Sequence, residues 1–277
     1  MYLATVRHDG RLWGARVEGE RTVLLDVPDA VAAWEAGGRG PERAEVGTAT
    51  AHFARTSPTP QHIICVGLNY RSHIEQLGRT APEFPTLFAK FASTLTGPRD
   101  TIVLPAESEQ IQGEVELAII VGRNLRRATA DDAAQAIAGY TVANDLSMRD
   151  WQHRTGEALQ GKVFDRTTPL GPWLVTPDEA GDARDLTLSF RVDGVEWQSG
   201  STADMLFRPE ELVAYCSHFL TLRPGDVILS GTPGTTDAAG DIQPGAELVS
   251  AISGLGASIN PTVAEPLATT MGHHGDR

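Results

Sequence analysis

Two glutamates stand two residues apart in the stretch GEVELAIIVG, residues 113–122, at the head of an otherwise apolar run. Side chains two apart on a strand share a face, about 6.6 Å apart along it, so Glu114 and Glu116 lie on one face with Ala118 and Ile120. Val115, Leu117, Ile119 and Val121 line the other face. Both faces become apolar, which predicts a strand covered on both sides. Two like charges entering such a strand repel, and each gives up hydration worth several kcal/mol. Arginine pairing relieves that, as does a strand end emerging into water. A divalent cation relieves it too, and calls for a third acid. TVANDLSMRD, residues 141–150, supplies Asp145 at the end of another apolar run. Three carboxylates with no His or Cys beside them are a hard oxygen donor set, suited to Mg²⁺ or Mn²⁺ rather than Zn²⁺. Three acids also leave positions open for water and substrate oxygens, the arrangement of a catalytic ion.

Other reactive side chains cluster nearby in sequence. Arg149, Asp150 and Gln152 follow Asp145 directly. Arg149 can fork onto a substrate carboxylate, or pair with Asp150 or another local acid. Lys162, between Gly161 and an apolar run ending at Phe164, reads either as a surface lysine or as a less solvated ammonium. SGTPG, residues 230–234, ends an apolar run, and its backbone and Thr232 offer donors to an anionic oxygen. It lacks the lysine and spacing of a P-loop, which rules out that mode of nucleotide binding. His73 follows a strand-to-turn junction and precedes a proline-rich loop, a position that suits a base on a lid as well as a plain structural histidine. GxSxG and HExxH are absent, so serine hydrolase and zincin readings have no support.

These residues need a scaffold, and 277 residues suffice for one large core with a small companion. The first 27 residues read as short strands turning at Asp9-Gly10 and Glu18-Gly19, followed by a short helix stopped at Gly37-Gly38. A Pro-rich break at 56–61 then separates a small β-rich N-terminal domain, 1–57, from a main domain, 60–263. In the main domain, apolar runs around 62–67, 102–104, 115–121, 141–146 and 226–229 predict strands, and Asp193-Gly194 marks a hairpin. Helices are expected after Thr129 and from Pro209 to about Phe219. The tail after Pro261, including 264–277, shows no periodicity and is expected to be disordered, with His273 and His274 as tail rather than ligands. The sum is α+β, predominantly β, with a large mixed or rolled sheet. A net charge of −13 argues against nucleic acid and anionic membrane as partners. The absence of a leader or a spanning apolar run, and two distant cysteines, Cys65 and Cys216, read as free thiols, point to the cytoplasm.

The ordered set VGLNYRSH, PTLFAKF, EVELAIIVG, ANDLSMRDWQ, GKVFD with PLGPWL, and MLFRPEELVAYCSHFLTLRPGDVILSGTPG resembles the fumarylacetoacetate hydrolase family over about 63–259. The likeness extends more loosely to the N-terminal part through the bacterial isomerase, acylpyruvase and decarboxylase branch. The resemblance implies a mixed β-sheet roll around Mg²⁺ or Mn²⁺, a homodimer, and a small-molecule carboxylate substrate. It implies Glu114, Glu116 and Asp145 as metal ligands. Arg149, Gln152, Lys162 and Thr232 would hold the substrate's carboxylate and keto oxygens, and His73 would sit on a lid helix and activate water. The implied substrates are 2-oxo acids and acylpyruvates, handled through a metal-stabilised enolate. Hydrolysis of a C–C bond is the family-level reaction, with decarboxylation and enol–keto isomerisation as alternatives, and a non-catalytic metal-bearing scaffold as an alternative of another class. Two departures stand out. Gln76 replaces the acid that many members carry three residues after the lid histidine, and the nearby Glu75 lies two residues from His73, off its face of a helix. Thr235-Thr236 stands where a glycine and an apolar residue are common in the family. Without a carboxylate beside His73, decarboxylation or isomerisation is expected to exceed hydrolysis.

Overall fold

The computed structural model describes residues 1–266. Alternating side chains near the N-terminus form an antiparallel meander of Tyr2–His8, Arg11–Glu18, Arg21–Leu25 and Glu42–Gly47. Its first turn places Asp9 and Gly10 at φ 48° and 73°, the mirror-image turn whose twist matches a hairpin. Asp29 caps the helix Ala30–Glu35 by accepting from the N–H of Ala32 at 2.9 Å.

The meander does not form a sheet of its own. Tyr2–His8 pairs with Leu174–Val175, and so joins one mixed ten-stranded sheet. Beyond Leu174–Val175 that sheet continues through Ile137–Asn144, Val115–Val121, Val227–Leu229 and Ile63–Gly67 to an edge at Thr86–Lys90. Val227–Leu229 and Ile63–Gly67 run parallel; the other pairs are antiparallel. Leu3, Val23, Leu25 and Val31 pack in the same buried cluster as Ile63, Ala118, Ile120, Leu174 and Leu229. The β-rich segment expected over 1–57 is therefore present, but as an extension of the main sheet and its core.

Every residue of Val115–Val121 and Ile137–Asn144 is buried. Val115, Leu117, Ile119 and Val121 face a core shared with Leu188, Phe190 and Leu248 of a second sheet and with Leu212 and Val213 of the helix Pro209–Ser217. Ala118 and Ile120 face the other way. The two-sided burial read from the sequence holds, and the result is the mostly β, mixed-sheet α+β roll expected. The second sheet runs Val195–Ser201, Thr187–Val192, Glu247–Ile252, Gly256–Ala264, Ile102–Leu104. Cys65 and Cys216 are buried free thiols, as expected. No helix among the described residues is long and apolar enough to cross a membrane.

The expected tail begins too early. Residues 261–264 belong to the strand Gly256–Ala264, 262–264 pair in parallel with Ile102–Leu104, and the N–H of Glu265 bonds the carbonyl of Leu104. The periodic signal was hidden because this strand turns polar residues inward: Ser258, Asn260 and Thr262 are buried, while Ile259 and Val263 are exposed. The rest of the expected tail, from 267, with His273 and His274, lies outside the described residues.

A shared core predicts shared unfolding. Calorimetry of the full chain should show one heat-absorption peak, and residues 58–277 expressed alone should aggregate because the face around Ala118, Ile120 and Leu174 is uncovered. Two separated peaks, or a soluble folded fragment, would show that the meander is independent.

Candidate active site

The register of the central pair brings the acids together. Val115 lies opposite Asn144, and one step further the N–H of Asp145 bonds the carbonyl of Glu114 at 2.8 Å. Asn144 Oδ1 accepts from the Glu114 N–H at 2.9 Å, and Gln198 Oε1 accepts from the Val115 N–H at 2.8 Å. These two amides satisfy the strand's backbone where it enters the sheet. One ligand oxygen from each of Glu114, Glu116 and Asp145 lies within 4.8 Å of the others, and the three residues are 9%, 1% and 0% exposed.

Three cations surround them. Arg149 Nη2 donates to Glu114 Oε1 at 2.5 Å. The ammonium of Lys162 bridges Glu114 Oε2 at 2.6 Å and Asp145 Oδ2 at 2.8 Å. Lys90, with a fully buried side chain, donates to Asp145 Oδ1. Burial works to raise the Glu114 carboxyl, but Lys162 and Arg149 outweigh it and hold it down at about 2. Burial works to lower the Lys162 ammonium, but Asp145 and Glu114 outweigh it and keep it above its ordinary value.

Glu116 is different. Its Oε2 accepts one hydrogen bond, 2.6 Å from the Gly231 N–H, and among the described residues no lysine, arginine or histidine pairs with it. Gly231 sits at φ 93°, and a Cβ there would lie 2.8 Å from the carbonyl oxygen of Val66, so only glycine presents its N–H this closely. Burial first, then Asp145 and Glu114, push the Glu116 carboxyl well above its ordinary value. The site thus lacks positive charge at one carboxylate, and its donor oxygens are hard. Among the described residues the buried hydroxyls of Tyr70 and Ser230 have no partner beyond one another, and Tyr70 is near enough to feel the charge of Glu116. On these grounds the residues fit a divalent Mg²⁺ or Mn²⁺ held by Glu114, Glu116 and Asp145.

The other expected residues divide into two groups. Arg149 is at the centre, bonded also to Gln112 Oε1 at 3.1 Å and to Gln152 Oε1 at 2.7 Å, so pairing with a local acid and a place beside the acid triad are both realised. Lys162 is buried rather than on the surface. The Thr232 hydroxyl donates to the carbonyl of Val115 at 2.8 Å and accepts from Gln198 Nε2 at 2.9 Å, which commits its proton to the scaffold. His73 and Gln76 lie on the helix Arg71–Gln76, with His73 Nδ1 3.4 Å from Gln76 Oε1. Glu75 is exposed and makes no side-chain hydrogen bond or ion pair among the described residues, so it does not take the place of the missing acid. The sequence reading missed Lys90 and Gln198. Lys90 carried one signal, a lysine closing an apolar segment between Pro85 and Phe91.

The signature described as Fumarylacetoacetate (FAA) hydrolase C-terminal matches residues 62–263, and the chain belongs to that family. Its relatives include a mitochondrial oxaloacetate tautomerase, Fahd2a, of Rattus norvegicus, 46% identical over 175 residues. That match covers 63% of this chain and 56% of the rat protein, so the chain spans little more than half the length of that relative. The oxaloacetate tautomerase YcgM of Escherichia coli is 41% identical over 196 residues, 69% of this chain and 88% of that protein. Among solved structures, a maleylpyruvate hydrolase from Sphingobium sp. SYK-6, in complex with manganese(II) and pyruvate, superposes with a TM-score of 0.78 at 26% identity, covering 96% of this chain and 100% of that one.

The charge balance makes a prediction. In the folded metal-free protein Glu116 keeps a proton at pH values where the unfolded chain has lost it, and a bound dication replaces that proton. Mg²⁺ or Mn²⁺ affinity should therefore rise with pH. Calorimetric titration in buffers of different ionisation enthalpy should count protons released, and Glu116→Gln should lose the release and most of the affinity. Unchanged affinity in that variant would remove Glu116 from the ligand set. Glu114 acts in the opposite sense on stability. Its folded pKa lies below the ordinary 4.5, so its contribution is complete above that value and fades as pH falls toward 2.

Proposed function

We propose that the protein is a divalent-metal-dependent enzyme that interconverts the enol and keto forms of a small 2-oxo acid with a second carboxylate, oxaloacetate being the type. The observation that carries this reading is the contact between His73 and an amide. Hydrolysis of a C–C bond needs an attacking water, which a carboxylate beside the histidine can orient and deprotonate. Gln76, a neutral amide, can hydrogen-bond such a water but takes no proton from it. Moving a proton between C3 and the enol oxygen needs no attacking water. The names of the two tautomerases support the same choice.

The chain's own groups suit it. Lys162 has three donors and spends two on Glu114 and Asp145, leaving one for a substrate oxygen. Arg149 has five and spends three, leaving two for a carboxylate. Both are oriented before substrate arrives, because Glu114 and Asp145 hold them. His73 supplies the proton acceptor for C3. A metal held by the three acids would add positive charge facing the oxygen on which negative charge develops. A scaffold role is disfavoured by this cluster, since three cations and three acids at a centre of this kind have no evident use in a passive surface.

A second reading, hydrolysis of an acylpyruvate, is favoured by the manganese- and pyruvate-bound hydrolase among the similar structures. Decarboxylation shares the same carbanion at C3. Assays with Mg²⁺ on enol-oxaloacetate, acetylpyruvate and fumarylpyruvate, with products identified, separate the three. Enol–keto conversion is expected to dominate, and Lys162→Met should lower it by about 10²-fold. Faster cleavage of acetylpyruvate would overturn the proposal in favour of the hydrolase. Size-exclusion chromatography with light scattering checks the homodimer that we propose alongside it.

A further inference from the structure

Gln76 makes more than the contact with His73. Its Nε2 donates to the carbonyl of Thr235 at 2.7 Å, and its Oε1 accepts from the N–H of the same residue at 3.1 Å. A side-chain amide thus pairs with one backbone residue in both directions. Thr235 is itself fixed: it bridges to Gln198, and the N–H of Thr236 bonds the carbonyl of Trp197 at 2.8 Å. At its other end the helix Arg71–Gln76 is tied by the Ser72 N–H and hydroxyl, which reach Asp204 Oδ2 at 2.9 and 2.6 Å.

The backbone at Thr235 has a fixed polarity, and this decides which way the Gln76 amide faces. The oxygen must meet the N–H, and the NH₂ must meet the carbonyl. That same oxygen, with its second lone pair, faces His73 Nδ1 at 3.4 Å. A ring nitrogen facing an acceptor is the one that carries hydrogen. Nε2 is then the bare nitrogen, the one able to accept a proton. Gly234 makes the arrangement possible: a Cβ there would lie 2.3 Å from Gln76 Oε1 and 3.5 Å from His73 Nδ1.

We propose that Gln76 is a positioning residue that transmits the polarity of the Thr235 backbone to His73, holding its ring in the Nδ1–H tautomer with Nε2 free as the base. The catalytic part of this inference rests on the role of His73 proposed above; the tautomer itself does not. It also accounts jointly for the two departures, since Gln76 and Thr235 are partners.

Long-range ¹H–¹⁵N correlation spectra of protein labelled at histidine test it, with the His73 signals assigned by their loss in His73→Phe. The wild type is expected to show Nδ1 protonated and Nε2 bare. Gln76→Met removes both hydrogen-bonding roles, and Gly234→Ala displaces the amide without altering it; both should lose the tautomer preference. Gln76→Glu keeps an acceptor for Nδ1 and should retain it. In the two disrupting variants kcat should fall about tenfold or more, with KM within about threefold. Gln76 is exposed, so Gln76→Met should keep its melting temperature, and this separates positioning from folding. A wild-type His73 protonated at Nε2, or Gln76→Met that keeps Nδ1–H and full kcat, overturns the proposal. The spectra need no substrate: a wild type without tautomerase activity but with the expected His73 signals would sink the function proposed above and leave the positioning role of Gln76 intact.

Discussion

Carboxylates do not gather out of water without positive charge among them, and much of this molecule can be read as a means of supplying it. Glu114, Glu116 and Asp145 meet because two buried antiparallel strands are paired in one register. A slip of a single residue would turn Glu116 and Ala118 to the opposite face and scatter the cluster. Lys90 comes from the edge strand of the large sheet, Lys162 follows a short helical turn, and Arg149 opens the helix just after Asp145. Each is held by the acids it balances. Removing any one partner leaves an uncompensated buried charge, the costly case for such pairs. Among the described residues, Glu116 is the one acid of the three served by a backbone N–H without a cation, so one carboxylate of the cluster is left without a balancing charge.

Much of this was legible in the sequence. The alternation from Val115 to Val121 with both faces apolar announced a covered strand, and two acids at its mouth announced a problem of charge. Asp145 was legible because it ends a second apolar run. Asp193-Gly194 declared its hairpin. These features are local, and a period-two pattern or a turn dipeptide records them directly.

The rest depended on contacts between distant parts of the chain. No local pattern shows that Tyr2–His8 pairs with Leu174–Val175, more than 160 residues away, so the meander read as a domain instead of a sheet edge. Lys90 looked like an ordinary strand-end lysine, because burial of its ammonium is decided by Asp145, 55 positions along. Thr232 illustrates the reverse case. Its hydroxyl is committed to Val115, and the nearby group that matters to Glu116 is the Gly231 N–H, a backbone atom with no identity in a motif. The pairing of Gln76 with Thr235 also spans distant segments, which is why two departures far apart in the sequence are one feature of the structure.

The last strand, Gly256–Ala264, carries a consequence of its own. Its inward side chains are anchors: Asn260 Nδ2 reaches the carbonyls of Gly97 at 3.0 Å and Asp100 at 2.7 Å, Ser258 Oγ that of Pro98 at 3.1 Å, and Thr262 Oγ1 that of Ala246 at 2.9 Å. The usual tolerance of a protein interior is inverted there. An oily replacement at 260 leaves the Asp100 carbonyl without its donor, and one at 258 or 262 strips the second donor from carbonyls that keep a backbone N–H, whereas a charged one at Ile259 or Val263 merely trades one solvated surface for another. Variation among natural relatives along this segment should then run against the hydropathy scale: greasy outside, hydroxyl or amide within.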